Sequence, residues 1–405
     1  MERSSQSAGK GTGHLASLDV IRGVAILMVF FYHAMFWSHG TNKLPWDGWH
    51  RDLDQSLDLL LLIPVTWGHA GVAIFFVVSG FCIHLSHTRC AEKGSIEKQF
   101  HRKEGGLWLQ FVIRRLWRIL PPYLIALFIF ILGDILTGQL TNRSSVFEQV
   151  WTHLLLIHNF KEATHFGVNP SFWSIAVEAQ LYWIYPLLWY LNKTIGWRGT
   201  MGTSLVVEFS IRLCMAFEVL PHGDLFRPIT NGPLAYWFSW SMGAWIAHDW
   251  MQGKSNIFSR IPFSLTAFGF VCCWFIAPLE HFFFPMASLA TAALLARIVE
   301  NQGSSASRPQ SIVSKSFAFV GSISYSFYLF HQPLISIWNR VILKVIDNLH
   351  PVVLFLMLSL SVVPIVFVSW LSYRWVECSG IAAGKRLIDR IQLQTLPNSA
   401  ISKHR

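Results

Sequence analysis

Residues 18–37 read LDVIRGVAILMVFFYHAMFW, a twenty-residue run whose only acidic, basic or histidine side chains are Asp19, Arg22 and His33. A helix rises 1.5 Å per residue, so a run of this length crosses ~30 Å of hydrocarbon. Similar runs recur near 68–86, 120–138, 172–190, 203–219, 234–250, 263–279, 282–298, 318–340 and 351–375. The chain therefore reads as all-α, a polytopic integral membrane protein of about ten transmembrane helices. A further apolar stretch at 150–158 is too short to span and is expected at the interface.

Composition agrees. The 405 residues are 53% hydrophobic and 13% charged, against about 25% charged in soluble domains. The 19 Trp and 32 Phe suit lipid-facing and interfacial positions. The first 17 residues are polar and the first apolar run is long enough to remain as a span, so no cleavable signal peptide is expected. The six cysteines show no metal-binding spacing, and no metal is expected.

The formal charge of +10 is unevenly placed. With ten spans and a cytoplasmic N-terminus, 23 of the 32 Lys and Arg fall on the cytoplasmic side and 7 opposite, leaving Arg22 and Arg212 within spans. Basic residues gather on the cytoplasmic side, so both N- and C-termini are expected there. The charge then reports topology, and nucleic-acid binding has no part in it. Residues 1–17 are expected as a cytoplasmic tail, 18–378 as one membrane domain and 379–405 as a second cytoplasmic tail.

Ionisable groups inside a span are costly, and those retained face a protein interior or water. Arg22 and His33 lie eleven residues apart, almost three turns, hence on one helical face ~16 Å apart along the axis. Counting helical rise from each span end puts His33, Glu178 and His331 at similar depth. His69, at the start of the second span, reads equally as an interfacial histidine or a site residue. Gly71, Ser79 and Gly80 are small residues suited to close helix packing. Arg114, Arg115 and Arg118 enter the third span, with Arg115 and Arg118 on one face. They suit either bidentate phosphate binding or anchoring to lipid headgroups. Arg374 and Glu377 read as a structural i, i+3 pair, and Glu208 with Arg212 as a neutralising i, i+4 pair. No phosphate-cradling loop, zinc helix or serine elbow occurs.

Taken together, these segments resemble the acyltransferase-3 family of integral membrane acyltransferases. Arg22 and His33 are similar to its Arg-x10-His signature. Residues 71–81, GVAIFFVVSGF, resemble its GVDxFFVxSGF stretch, with Ala73 replacing the acidic residue. RRLWRILPPY at 114–123 is similar to its RxxR and PPY element. PSFWSIAVEAQ at 170–180 resembles its WSLSVEEQFY block, with Trp173 and Glu178 kept and Ala179 replacing the second Glu. GSISYSFYLFHQP at 321–333 is similar to its GxxSYSLYLxHxP block, which supplies Tyr325 and His331.

The resemblance implies O-acylation, commonly acetylation, with cytoplasmic acyl-CoA (acetyl-CoA) as donor substrate and no tightly bound cofactor. It implies a hydroxyl on a cell-surface or secreted polysaccharide, lipopolysaccharide or glycolipid as acceptor, in a bacterial inner membrane, alongside polysaccharide-assembly proteins. A fused SGNH esterase-like domain, found in some members, is not expected here. Arg115 and Arg118 are then expected to dock CoA phosphates and Arg22 to hold the donor deeper. His33 is expected to act as general base, Glu178 to orient it, and Tyr325 or His331 to steady the oxyanion. A transporter or exporter, or acylation of a small molecule such as a macrolide, are the competing expectations.

Overall fold

The computed structural model describes residues 16–39, 62–96, 104–137, 146–220, 223, 225–305, 311–346 and 348–394. The bulk of both expected tails, 1–15 and 395–405, and parts of the long loops lie outside the described residues. Among the described residues every regular element is helical. The main helices are α1 Ala16–His39, α2 Ala70–Ile96, α3 Glu104–Leu136, α4 Val146–Leu154, α5 Phe172–Ala216, α6 Trp237–Met251 and α7 Phe263–Phe275. They continue with α8 Phe283–Ser305, α9 Ile312–Ser322, α10 Ser324–Val345, α11 Pro351–Ser359, α12 Val362–Ser372 and α13 Cys378–Gln394.

Every apolar run found in the sequence is occupied by one or two of these helices. The runs at 172–190 and 203–219 are two helices that abut within α5 at a kink at Gly196, whose φ of 71° favours a residue without a side chain. The runs at 318–340 and 351–375 each divide, into α9 and α10 and into α11 and α12. Five helical stretches are long and apolar enough to cross a bilayer by length and composition alone, at 16–39, 63–90, 108–136, 279–301 and 351–392. The 150–158 stretch yields only the nine-residue α4 and short turns.

Glycine sets how closely these helices cross. A Cβ on Gly23 of α1 would sit 2.0 Å from the Phe317 carbonyl oxygen of α9, and one on Gly321 of α9 1.7 Å from that of Asp19. Gly80 of α2 and Gly243 of α6 are matched likewise, at 2.0 Å from Trp240 O and 1.9 Å from Val77 O. Backbones touch at both crossings, the arrangement by which small residues hold membrane helices together. The buried Glu208–Arg212 pair forms at 3.7 Å, with Ser239 N and Oγ also donating to Glu208. That confirms its structural reading.

Candidate active site

Proline decides the local geometry. Pro333 lies inside α10 and has no N–H to give to the Leu329 carbonyl one turn back. Asn169 Nδ2 donates to that carbonyl instead, at 2.9 Å, while Asn169 Oδ1 accepts from Ser171 N at 3.0 Å. One buried asparagine thus ties the start of α5 to the break in α10.

The tie brings Ser171 to His331 and Gln332. Ser171 Oγ donates to Gln332 Oε1 at 2.5 Å and lies 3.5 Å from His331 Nε2. His331 Nδ1 is 2.8 Å from the Tyr328 carbonyl, which can only accept, so neutral His331 carries its proton there. Its Nε2 is then an acceptor. His33 Nδ1, 3.1 Å away, donates to it and leaves a lone pair on His33 Nε2. The two histidines, expected at one depth, form a direct pair.

Glu178 does not join them. It lies seven residues beyond Ser171, ~10 Å along α5, where Ser79 Oγ and Tyr182 OH donate to its Oε1 at 2.7 and 2.5 Å. The expected contact of Glu178 with His33 is not what the structure has: the His33 ring meets His331 instead. Tyr325 is also away from the pair, and its hydroxyl donates to the Ile119 carbonyl at 2.9 Å. His69 stacks on Phe283 at 4.3 Å and approaches the Thr66 carbonyl with Nδ1 at 3.3 Å. Trp173 packs beside Tyr236 and His165.

Two cavities are lined by neighbours of His331 on α10, one by Tyr328 and the other by Phe330 and Gln332. The first, about 90 Å³, is lined by Arg22, Arg115, Arg118, Glu178, Tyr182 and Tyr325 among others. Arg22 reaches it while paired with Asp19 at 3.5 Å. Arg115 is buried, with Nη2 3.4 Å from the Cys82 carbonyl. Arg118 pairs with Glu377 at 3.9 Å, and Ser326 Oγ donates to the same carboxylate at 3.2 Å. This overturns the Arg374–Glu377 pair read from spacing. The wide π turn Tyr373–Glu377 turns Glu377 inward and leaves Arg374 exposed. Arg114 points away and donates to Cys90 Sγ at 2.6 Å. Ser174 and Tyr328 line this cavity as well, their hydroxyls 2.7 Å apart.

The second cavity, about 770 Å³, lies toward the other end of α3 and α10. Trp37, one turn beyond His33, Gln332, Phe130 and Gly133 line it, with Asp134 and Arg340 at its rim. The segment 146–171 caps this end. Gln180 of α5 holds it, donating to the Leu156 carbonyl and to Asn159 Oδ1, both at 2.8 Å. Within the cap the His153 and His158 rings stack at 3.9 Å. Burial lowers both, His153 to about 4, with His153 adding to the depression of His158; burial likewise brings His165 to about 4.

Sequence reasoning missed Ser171, Ser174, Tyr182, Tyr328 and Gln332 as site members. A signal existed: 171, 174, 178 and 182 repeat at i, i+3, i+7, i+11, one polar stripe on a helix whose first half is otherwise apolar but for Gln180. Among the described residues no group of three or more His, Cys, Asp or Glu is placed to hold a metal.

Known proteins bear on this arrangement. The model of the acyltransferase domain family matches residues 15–374. The peptidoglycan O-acetyltransferase of Listeria monocytogenes is 23% identical over 407 residues, covering 93% of this chain and 57% of that protein. Nodulation protein 10 of Rhizobium leguminosarum bv. viciae is 24% identical over 342 residues, covering 79% of this chain and 83% of its own. The chain thus spans little more than half the length of the Listeria relative. No solved structure matches it.

Proposed function

Because the chain belongs to the acyltransferase family, we propose that it is a multi-pass membrane enzyme that moves an acetyl group from acetyl-CoA to a glycan hydroxyl. Ten spans with both ends in the cytoplasm place the arginine-lined cavity on the donor's side and the capped cavity on the acceptor's. The asymmetry of Lys and Arg supports that orientation. A bacterial inner membrane follows from a cytoplasmic donor and a surface acceptor.

The observation that carries the reading is the buried His33–His331 pair, with His33 Nε2 left as a base. His33 Nε2 takes the acceptor's hydroxyl proton as the oxygen attacks the thioester carbonyl. The tetrahedral intermediate collapses, the C–S bond breaks, and the imidazolium returns the proton to the leaving thiolate. His331 holds the ring in the required tautomer. Tyr328, whose oxygen accepts from Ser174 Oγ at 2.7 Å, keeps its own O–H to donate to the oxyanion. Arg115 and Arg118 receive the CoA phosphates, and Arg22 meets the donor deeper in the cavity.

The test is a His33→Ala protein present at the wild-type level in the membrane. Loss of acetyl esters from cell-surface glycans is expected, and unchanged ester content rejects the assignment.

A further inference from the structure

A third cavity, about 490 Å³, opens at the kink in α5. Gly196 lines it there, and the end of α6 with the turn that follows lines the other side. Arg198, Lys254 and Arg260 line it too, all three exposed, and Asp249 is the one carboxylate among the lining residues. The cavity shares no residue with the one that holds Arg22, Arg115 and Arg118. Gly196 falls between the fourth and fifth apolar runs and Lys254 follows the sixth, so both are cytoplasmic in the orientation proposed above.

The turn is fixed from behind. Asn256, 2% exposed, donates from Nδ2 to Asp249 Oδ2 at 2.6 Å and from its backbone N to Glu300 Oε1 at 2.8 Å. Arg297 of α8 donates to the Ser259 and Ile261 carbonyls at 2.9 and 2.5 Å. Both carboxylates thus serve Asn256 and not the cations. Lys254 donates to the neutral Gln252 Oε1 at 2.6 Å. None of the three cations forms a salt bridge with a described residue. The remaining walls are apolar. Trp197 and Trp245 lie parallel within 2°, their ring centroids 6.3 Å apart, and Ile195 and Ile257 are 51% and 49% exposed.

We infer that this cavity binds the phosphate of an anionic membrane lipid. Three cations held around one cavity repel each other, and a phosphate among them relieves the repulsion and accepts their N–H donors. Basic pockets between helices at a cytoplasmic surface hold anionic headgroups in this way. A volume of about 490 Å³ lies within the ~300–1,000 Å³ of sites that enclose small ligands. The exposed isoleucines and the tryptophan faces meet the start of the acyl chains, a contact that a free phosphate ion leaves unmade. Bound lipid then ties the two halves of α5 to α6 across the kink. The site does not depend on the acyl-transfer reading.

The test uses the full chain purified in neutral detergent and titrated with phosphatidylglycerol, phosphatidylcholine or inorganic phosphate. An apparent Kd is taken from the rise in Tm with each. Phosphatidylglycerol is expected to bind at least tenfold more tightly than the other two. An Arg198→Ala, Arg260→Ala double variant, checked for folding by gel filtration, should bind it roughly tenfold or more weakly. Lys254→Ala alone should weaken it about fivefold and serves if the double variant fails to fold. Equal affinity for phosphatidylglycerol and phosphatidylcholine overturns the inference, as does an unchanged Kd in the folded variants. Inorganic phosphate binding as tightly as phosphatidylglycerol overturns it too, and gives the cavity to a soluble anion.

Discussion

The two cavities that α10 lines are both walled mainly by apolar side chains and differ in size and in the polar groups they add. One, about 90 Å³, adds three arginines and a carboxylate. The other, about 770 Å³, adds amides, hydroxyls, Asp134 and Arg340. Desolvated charges act strongly at short range and demand a matching ion, whereas an apolar cleft discriminates by shape. Under the proposed function, the first selects a polyanionic donor common to all cells, and the second a host-specific acceptor. The histidines line neither, but neighbours of His331 on α10 line each: Tyr328 the first, Phe330 and Gln332 the second.

Disturbing the histidine pair should have the largest effect. His33→Ala is expected to lower kcat by roughly 10²–10⁴, the range for loss of a general base, measured as acetyl transfer in membrane vesicles. A Gly23→Leu protein should fail earlier, because its Cβ would lie 2.0 Å from the Phe317 carbonyl oxygen; loss of folded protein in detergent gel filtration would show it. On the charged side, Arg115→Ala should raise the KM for acetyl-CoA about tenfold or more, the worth of a charge-assisted hydrogen bond, with kcat little altered. Arg118 is the poorer probe, since its removal leaves the buried Glu377 unpaired. An unchanged KM in Arg115→Ala would make the charged cavity structural.

At the tie between the cavities, Asn169→Ala leaves Leu329 O without its donor, at a cost of ~1–3 kcal/mol. It should lower kcat more than either KM. The smallest expected effect is in the cap. His153 and His165 are held near 4 in the fold and titrate near 6.5 when unfolded. Between those values the unfolded chain binds more protons, so cap stability falls as pH drops from about 6.5 toward 4. Protease sensitivity of 146–171 should rise across that window and remain flat from pH 7 to 8.

Much of this was legible in the sequence because it depends on local periodicity. Apolar run length marked where helices form. Eleven-residue spacing put Arg22 and His33 on one face, and four-residue spacing paired Glu208 with Arg212. What failed was partner choice at a distance. Glu178 was assigned to His33, yet it lies ~10 Å of helix rise beyond Ser171, the α5 residue beside His331, and Ser79 and Tyr182 claim it. Arg374 and Glu377 had ideal spacing for a regular helix, and a π turn broke the register. Depth counting brought His33 and His331 to one level, but only packing through Gly23 and Gly321 brings α1 and α9, and α10 after it, close enough for contact.

The separation of that pair carries a consequence for biosynthesis. His33 and His331 are 298 positions apart, and ribosomes add about 5–20 residues per second. The first helix therefore enters the membrane roughly 15–60 s before its partner exists. During that time the nascent chain has the base without the group that sets its tautomer. Under the proposed function, a product that stops before α10 is made lacks that group and is chemically silent.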